Sequence, residues 1–389
     1  MTDDTGRFSV PDAPSPYDLV IVDPDGTTIS LYRGLRRRDP LVRHHKSPHD
    51  NALPANMATV TGTFTGGPSW PLGKQDVASV SVVSQLARAN EVLGGSLPIP
   101  MFRGPSFGPL YLRWDGPPTV AAEVYAWSTF REAADAGTGD AEAAGTPASF
   151  AYGRQPLTLQ DGGVSVSVPL QVVTHTVHVT GTVAHAPSSP PSQRSVYYAL
   201  PTGPGARLPL GGDAPRPRSE ASFDFVVPLP DVPGASLCFM AFSCTNDARL
   251  PLVWDAICGI TPGTAISAEV EEPPRFTSPA ADTAVRPTTT LAWTAFDRGV
   301  YRLDLVSGRL PTAAAPNIYV YTAAMSTTWP DLASVNVPFP AEAEYALSIV
   351  GLGVFASIDE LAGPRGFASA VVPEYRQSYL NPMKVSVLR

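Results

Sequence analysis

The sequence predicts an all-β protein of three consecutive antiparallel β-sandwich domains. Three observations carry that expectation. The 389 residues include 43 prolines and 32 glycines, about a fifth of the chain, and proline fixes φ and removes a backbone donor, which leaves little room for long helices. Short apolar runs alternate with Pro/Gly clusters throughout, and some alternate apolar and polar residues strictly, as in Val164-Ser165-Val166-Ser167-Val168 and residues 176–183. Finally, a set of short blocks occurs twice, in one order and at a nearly constant offset, which argues for a duplicated domain.

Composition supports the same class. Charged residues make up 16% of the chain, against roughly 25% in soluble domains. A chain of this length holds more than one core, since domains run to roughly 100–200 residues. Apolar runs between the turn clusters set it apart from disordered sequence.

Residues 1–16, with Pro11, Pro14 and Pro16, read as a linker. Residues 17–56 read as a hairpin and a loop. Asp23-Pro24-Asp25-Gly26 stands between two β-branched runs, a strong hairpin signal. An isolated hairpin is marginal in water, so this one is expected to pair with the first repeat.

The first copy is placed at 57–174 and the second at 175–272. Val60-Thr61-Gly62-Thr63-Phe64 recurs as Val179-Thr180-Gly181-Thr182-Val183, and Tyr125-Ala126-Trp127-Ser128 as Met240-Ala241-Phe242-Ser243. Between these, Val80-Ser81-Val82 matches Val196-Tyr197-Tyr198, and Leu110-Tyr111-Leu112 matches Phe225-Val226-Val227. The stretch from Leu159 to Val166 matches that from Ile260 to Ser267. Residues 77–92 are read as a strand giving way to a loop or helical turn. Residues 130–149 read as a short helix or a flexible excursion.

The third domain, 273–389, follows the Pro273-Pro274 boundary. Strands are expected at 289–296, 300–306, 318–322, 345–350, 367–372 and 384–388. Trp293 lies on an alternating run and is the expected core anchor, because tryptophan buries a large apolar area.

The first two units resemble the carboxypeptidase regulatory-like, or transthyretin-like, β-sandwich family. The resemblance lies in Val179-Thr180-Gly181-Thr182-Val183 and in Phe223-Asp224-Phe225 leading to Leu229-Pro230-Asp231-Val232-Pro233-Gly234-Ala235; in the first copy the turn is Asp115-Gly116-Pro117-Pro118. The third unit resembles a bacterial fibronectin-III or immunoglobulin-like domain through Phe276-Thr277-Ser278-Pro279, Val285 and Thr288-Thr289-Thr290-Leu291-Ala292-Trp293. These resemblances imply spacer, adhesion or binding modules. They supply no catalytic residues, and a fold alone does not give a function.

The net charge of −8 and the sequence pI near 5.3 disfavour polyanions, so nucleic acid is not expected as a partner. The basic run Arg36-Arg37-Arg38, with Arg33 and Arg43, is read as a solvated loop, with contact to an acidic partner or to lipid headgroups as the alternative. Three cysteines lie close together, and Cys244–Cys258 is the expected bridge, with Cys238 buried and free. Three cysteines without a CxxC or a nearby histidine do not make a zinc site.

No nucleophile elbow, Walker loop or Rossmann glycine fingerprint occurs. His44, His45 and His49 beside Asp50 read as a polar loop, since Pro48 interrupts them. His175 and His178 have odd spacing and would face opposite sides of a strand, and His185 adds little. Carboxylates concentrate in turns (Asp23, Asp25, Asp115, Asp161, Asp231) or in a loop (Asp135, Asp140, Glu142), where they cap backbone. Asp23 and Asp25 could seed a calcium site, but a plain hairpin turn is the simpler reading. No enzyme, metal or cofactor is therefore expected. The ligand-binding candidates are Trp70, Phe102, Phe107, Tyr111 and Trp114, as an aromatic face for sugars, against the plainer reading that Tyr111 or Trp114 packs in the core.

No apolar run is long enough to cross a membrane as a helix. The polar start, Met1-Thr2-Asp3-Asp4-Thr5, fits either a cytoplasmic protein or a chain beginning after a removed leader. Its Pro-rich continuation resembles the tether of a lipid-anchored protein. The expectation is a non-catalytic structural or adhesion protein, extracellular, at the cell surface or periplasmic, with protein or surface-polysaccharide partners. The alternatives are a carbohydrate-binding accessory protein and a subunit of a fibre or phage-like assembly.

Overall fold

The computed structural model describes residues 8, 14–42, 56–66, 77–84, 88–89, 101–102, 104–114, 116–130, 149–185, 193–203, 206–217, 221–232, 237–244, 252–296, 299–308, 311–340, 342–364, 377–379 and 383–387. Among them the chain is all-β, with one α-helix of a single turn and one 3-10 turn.

The chain opens with β1 (Tyr17–Val22) and β2 (Thr28–Leu35). Their turn is built as the sequence indicates. Gly26 N donates to Asp23 O (2.8 Å), Gly26 takes φ +70°, and the Asp25 carboxylate accepts from Thr27 N (3.0 Å) and Thr27 Oγ1 (2.8 Å). Asp25 is thus engaged by its own turn, the plain hairpin reading.

Next come β3 (Asn56–Gly66), β4 (Val77–Ser84), β5 (Arg88–Ala89), β6 (Met101–Phe102), β7 (Ser106–Trp114), β8 (Thr119–Phe130), β9 (Ser149–Gln160) and β10 (Gly162–Val173). They form two layers, β5-β7-β3-β10 and β9-β8-β4-β6. β10 joins the layers: it runs parallel to β3 from Gly162 to Leu170, then antiparallel to β9 from Gln171 to Val173. The inward residues of both layers meet in one core, including Val60, Phe107, Leu112, Trp114, Val124, Leu159 and Val168. The first half of 77–92 is a strand; 130 closes β8, and 131–148 lie outside the described residues.

The following strands repeat that topology: β11 (Thr176–His185), β12 (Gln193–Gly203), β13 (Ala206–Pro217), β14 (Ser222–Pro228), β15 (Leu237–Cys244), β16 (Leu252–Ile260) and β17 (Ile266–Val270). Orders β7-β3-β10 and β6-β4-β8-β9 recur as β14-β11-β17 and β13-β12-β15-β16. Directions match too, including the parallel pairs β3–β10 and β11–β17. Every matched sequence block falls on an equivalent strand or turn.

The duplicated Val-Thr-Gly-Thr has a packing cause. Gly62 lies opposite Phe107 on one neighbouring strand and Val166 on the other. Gly181 lies opposite Phe223 and Ile266. At both glycines a Cβ would collide with the phenylalanine ring and with the carbonyl oxygen of Val166 or Ile266. Only a residue without a side chain lets the ring lie over the strand.

The chain ends with β18 (Phe276–Ser278), β19 (Ala284–Val285), β20 (Thr290–Trp293), β21 (Tyr301–Ser307), β22 (Asn317–Thr322), β23 (Ser326–Thr328), β24 (Glu344–Leu352), α1 (Ile358–Leu361), β25 (Gln377–Tyr379) and β26 (Met383–Val387). Trp293 is buried as expected, edge-on to Phe276 and Tyr301. Of the expected strands, 367–372 lies outside the described residues.

The hairpin does not pair with the first repeat. β2 runs parallel to β22, Thr28–Tyr32 against Asn317–Tyr321. Ile29 and Leu31 enter the C-terminal core, while Tyr32 stacks on Tyr321 at 4.4 Å. Burial decides the partner: both faces of β2 are covered there, one by the core and one by the cluster around Phe355 and Ile358. The two repeats are therefore inserted between strands of one sheet, β1-β2-β22-β21-β24. β25 extends that sheet, pairing with both β24 and β16 of the second repeat.

The cysteine expectation is corrected. The disulfide joins Cys238 to Cys258, with Cα atoms 4.1 Å apart. Antiparallel register sets these two directly opposite on β15 and β16, whereas Cys244 lies at the far end of β15 opposite Gln193. Cys238 is buried, but not free.

Candidate functional site

The five aromatic candidates do not form one face. Phe107 (4% exposed) and Trp114 (2%) are core residues of the first repeat. Phe107 stacks on Phe64, and Trp114 Nε1 donates to Pro117 O at 2.8 Å. Tyr111 is 47% exposed. Trp70 and the side chain of Phe102 lie outside the described residues.

A β-bulge separates them. Val60 pairs with Leu110, but Gly62 pairs with Phe107, so the register shifts at Gly108–Pro109. Strict alternation would put 107, 109, 111 and 113 on one face. The extra residue turns Phe107 inward with Leu112 and Trp114 and leaves Tyr111 outward.

Tyr111 stands on the outer face of β7-β3-β10. Its cross-strand neighbour is Thr59, and Met57 (41% exposed) lies opposite Arg113. Thr59, Thr61 and Thr63 lie opposite Gly163, Ser165 and Ser167, and all but the half-buried Thr59 are exposed. Arg113 is the one charged residue in these three strands. The equivalent face of the second repeat is charged, with Glu269 on β17 and an exposed His178–Asp224 pair across β11 and β14.

A second polar group occupies the other layer of the first repeat. Glu123 on β8 pairs with Arg154 on β9 and accepts a 2.6 Å hydrogen bond from Tyr125 Oη. Burial, then the bond to Glu123, pushes the Tyr125 phenol well above its usual range. Burial pushes Tyr152 up to about 12, against the lowering effect of Arg154. Both phenols stay protonated at neutral pH.

The other polar candidates have structural employment. Arg36 N and Arg37 N donate to Asp359 Oδ1 (2.8 and 2.9 Å), and the Arg37 guanidinium binds Asp39. The basic run is thus laid against α1. Arg33 reaches Thr327, and burial lowers its pKa against the raising effect of Asp18. Asp161 Oδ1 accepts from Met57 N at 3.0 Å. His175 lies between β10 and β11, its carbonyl accepting from Leu229 N at 2.9 Å. Arg43, His44, His45, His49, Asp50, Asp115, Asp135, Asp140, Glu142 and the side chain of His185 lie outside the described residues. Among the described residues no three His, Cys, Asp or Glu side chains are grouped to hold a metal ion, and no helix is long and apolar enough to cross a membrane.

No family model and no curated protein matches the sequence. Among solved structures, the chain is similar to the fimbrial anchor protein Mfa2 of Porphyromonas gingivalis, at 12% identity and TM-score 0.19 over 48% of this chain and 78% of that one. It is similar to a fimbrial assembly protein of Parabacteroides distasonis at 11% identity and TM-score 0.17, over 52% of this chain and 94% of that one. The FN1–FN3 domains of chicken CNTN1 match at 12% identity and TM-score 0.16, over 95% of this chain and 97% of that one. TM-scores of this size do not establish a common fold.

Proposed function

We propose that this chain is a non-catalytic structural and adhesive protein that works outside the cytoplasm. It would comprise two tandem sandwiches, near 57–174 and 175–272, carried by a terminal unit made from the hairpin and the last third of the chain. The observation that carries the reading is the cross-strand disulfide within an all-β chain. Structural disulfides persist in oxidising compartments and are rare in the cytosol. The architecture agrees: Asp25 serves its own turn, Asp359 holds the backbone of the basic run, and Glu123 pairs with Arg154 across strands.

The test is protease treatment of intact cells of the source organism, followed by immunoblotting. The reading expects the protein to be cleaved or released while a cytoplasmic marker stays whole. A chain protected until lysis and found with the soluble cytoplasmic fraction contradicts it.

A further inference from the structure

We propose that the outer face of the β7-β3-β10 sheet, centred on Tyr111, binds a neutral polysaccharide strand. The proposal deepens the adhesive reading by naming a site and a ligand class.

Three observations carry it. The first is chemistry. Thr61, Thr63, Ser165 and Ser167 present exposed hydroxyls on the same sheet face as the exposed ring of Tyr111, in rows that follow it along β3 and β10. A sugar ring offers the complement, with C–H faces that pack on an aromatic ring and hydroxyls that exchange hydrogen bonds with hydroxyls.

The second is charge. The protein carries a net charge of −8, yet these strands hold no Asp, Glu or Lys. The charges beside the three strands stand at the Tyr111 end, where Arg113 pairs with Arg88 of β5 and Asp161 accepts from Met57 N, and two arginines are no footprint for a polyanion. The duplicate supplies the comparison. At the positions of Tyr111 and Thr59 the second repeat has Val226 and His178, again directly paired. Its face keeps charges, so a shared fold does not by itself impose a neutral one.

The third is size. β3 and β10 pair over nine residues, so the face is roughly 30 Å long and roughly 10 Å between its outer strand axes, at about 3.3 Å per residue and 4.8 Å per strand. That is about 300 Å² in outline, well under the roughly 800 Å² per partner of a stable protein interface. A polymer one sugar ring wide fits a narrow strip.

Affinity electrophoresis of the full chain tests this, in gels carrying amylose, dextran, laminarin or galactomannan, with dextran sulfate as the charged comparison. We expect retardation by at least one neutral polysaccharide. Tyr111→Ala should weaken it at least about tenfold, and Val226→Ala should leave it unchanged. Tyr111 is exposed, so circular dichroism of its variant should match the parent. No retardation by any neutral polymer, retardation by dextran sulfate alone, or retardation indifferent to Tyr111→Ala overturns the site. Protease treatment of cells reads display separately, so a displayed protein that binds none of these polymers loses the site and keeps the structural reading.

Discussion

The ring of Phe223 lies across Gly181 on the neighbouring strand, and a Cβ at Gly181 would stand 2.6 Å from Phe223 Cζ. Phe107 lies across Gly62 in the same way. This is the point at which the sequence duplication and the structural duplication coincide.

Gly181→Ala should therefore destabilise the second repeat by about 2–3 kcal/mol, the upper part of the roughly 1–3 kcal/mol range for overpacking, because the Ile266 carbonyl cannot withdraw. Phe223→Ala in the same chain should recover part of the added cost and not all, because the Ile266 carbonyl also blocks the new methyl. A double-mutant cycle in urea reads the coupling; full additivity would contradict the packing.

The β2–β22 ladder predicts a long-range effect. Ile29→Ala removes a fully buried side chain and should cost about 2–4 kcal/mol. Hydrogen exchange should show faster amides in Asn317–Tyr321 and unchanged protection in β3 and β8. Loss of protection in the first repeat instead would place the hairpin there.

Tyr152 makes the alkaline limb testable. Its hydroxyl is buried without a hydrogen-bond partner, and its pKa is raised from 10.0 to about 12. Above pH 10 the unfolded chain loses this proton and the folded chain keeps it. Stability from this group is thus constant below 10 and falls as pH rises towards 12. Tyr152→Phe should be neutral or slightly stabilising at pH 7, since it removes an unpaired polar group. It should also flatten the fall in urea midpoint between pH 10 and 12; an unchanged slope would contradict the assignment.

Local features were legible in the sequence. Period-2 runs marked β10 and β11, Asp-Gly marked the hairpin turn, and repeated blocks fell on equivalent strands. Trp293 was identified because its strand alternates. Long-range choices were not legible. Nothing near Thr28–Tyr32 names Asn317–Tyr321 as a parallel partner, since that pairing is set by burial on both faces of β2. The cysteine pairing depended on the β15–β16 register, which shifts between Leu237 and Cys238. The inward and outward aromatics of β7 were scrambled by one bulge. The neutral face around Tyr111 appears only when β3, β7 and β10 are brought side by side.

The central claim, a sandwich protein of an oxidising compartment, rests most directly on its thiols. Protein taken from its source in acid, alkylated under denaturing conditions and digested would be read by mass spectrometry. A Cys238–Cys258 linked peptide and alkylation at Cys244 are expected. Alkylation at all three cysteines would contradict both the cross-link and the location outside the cytoplasm.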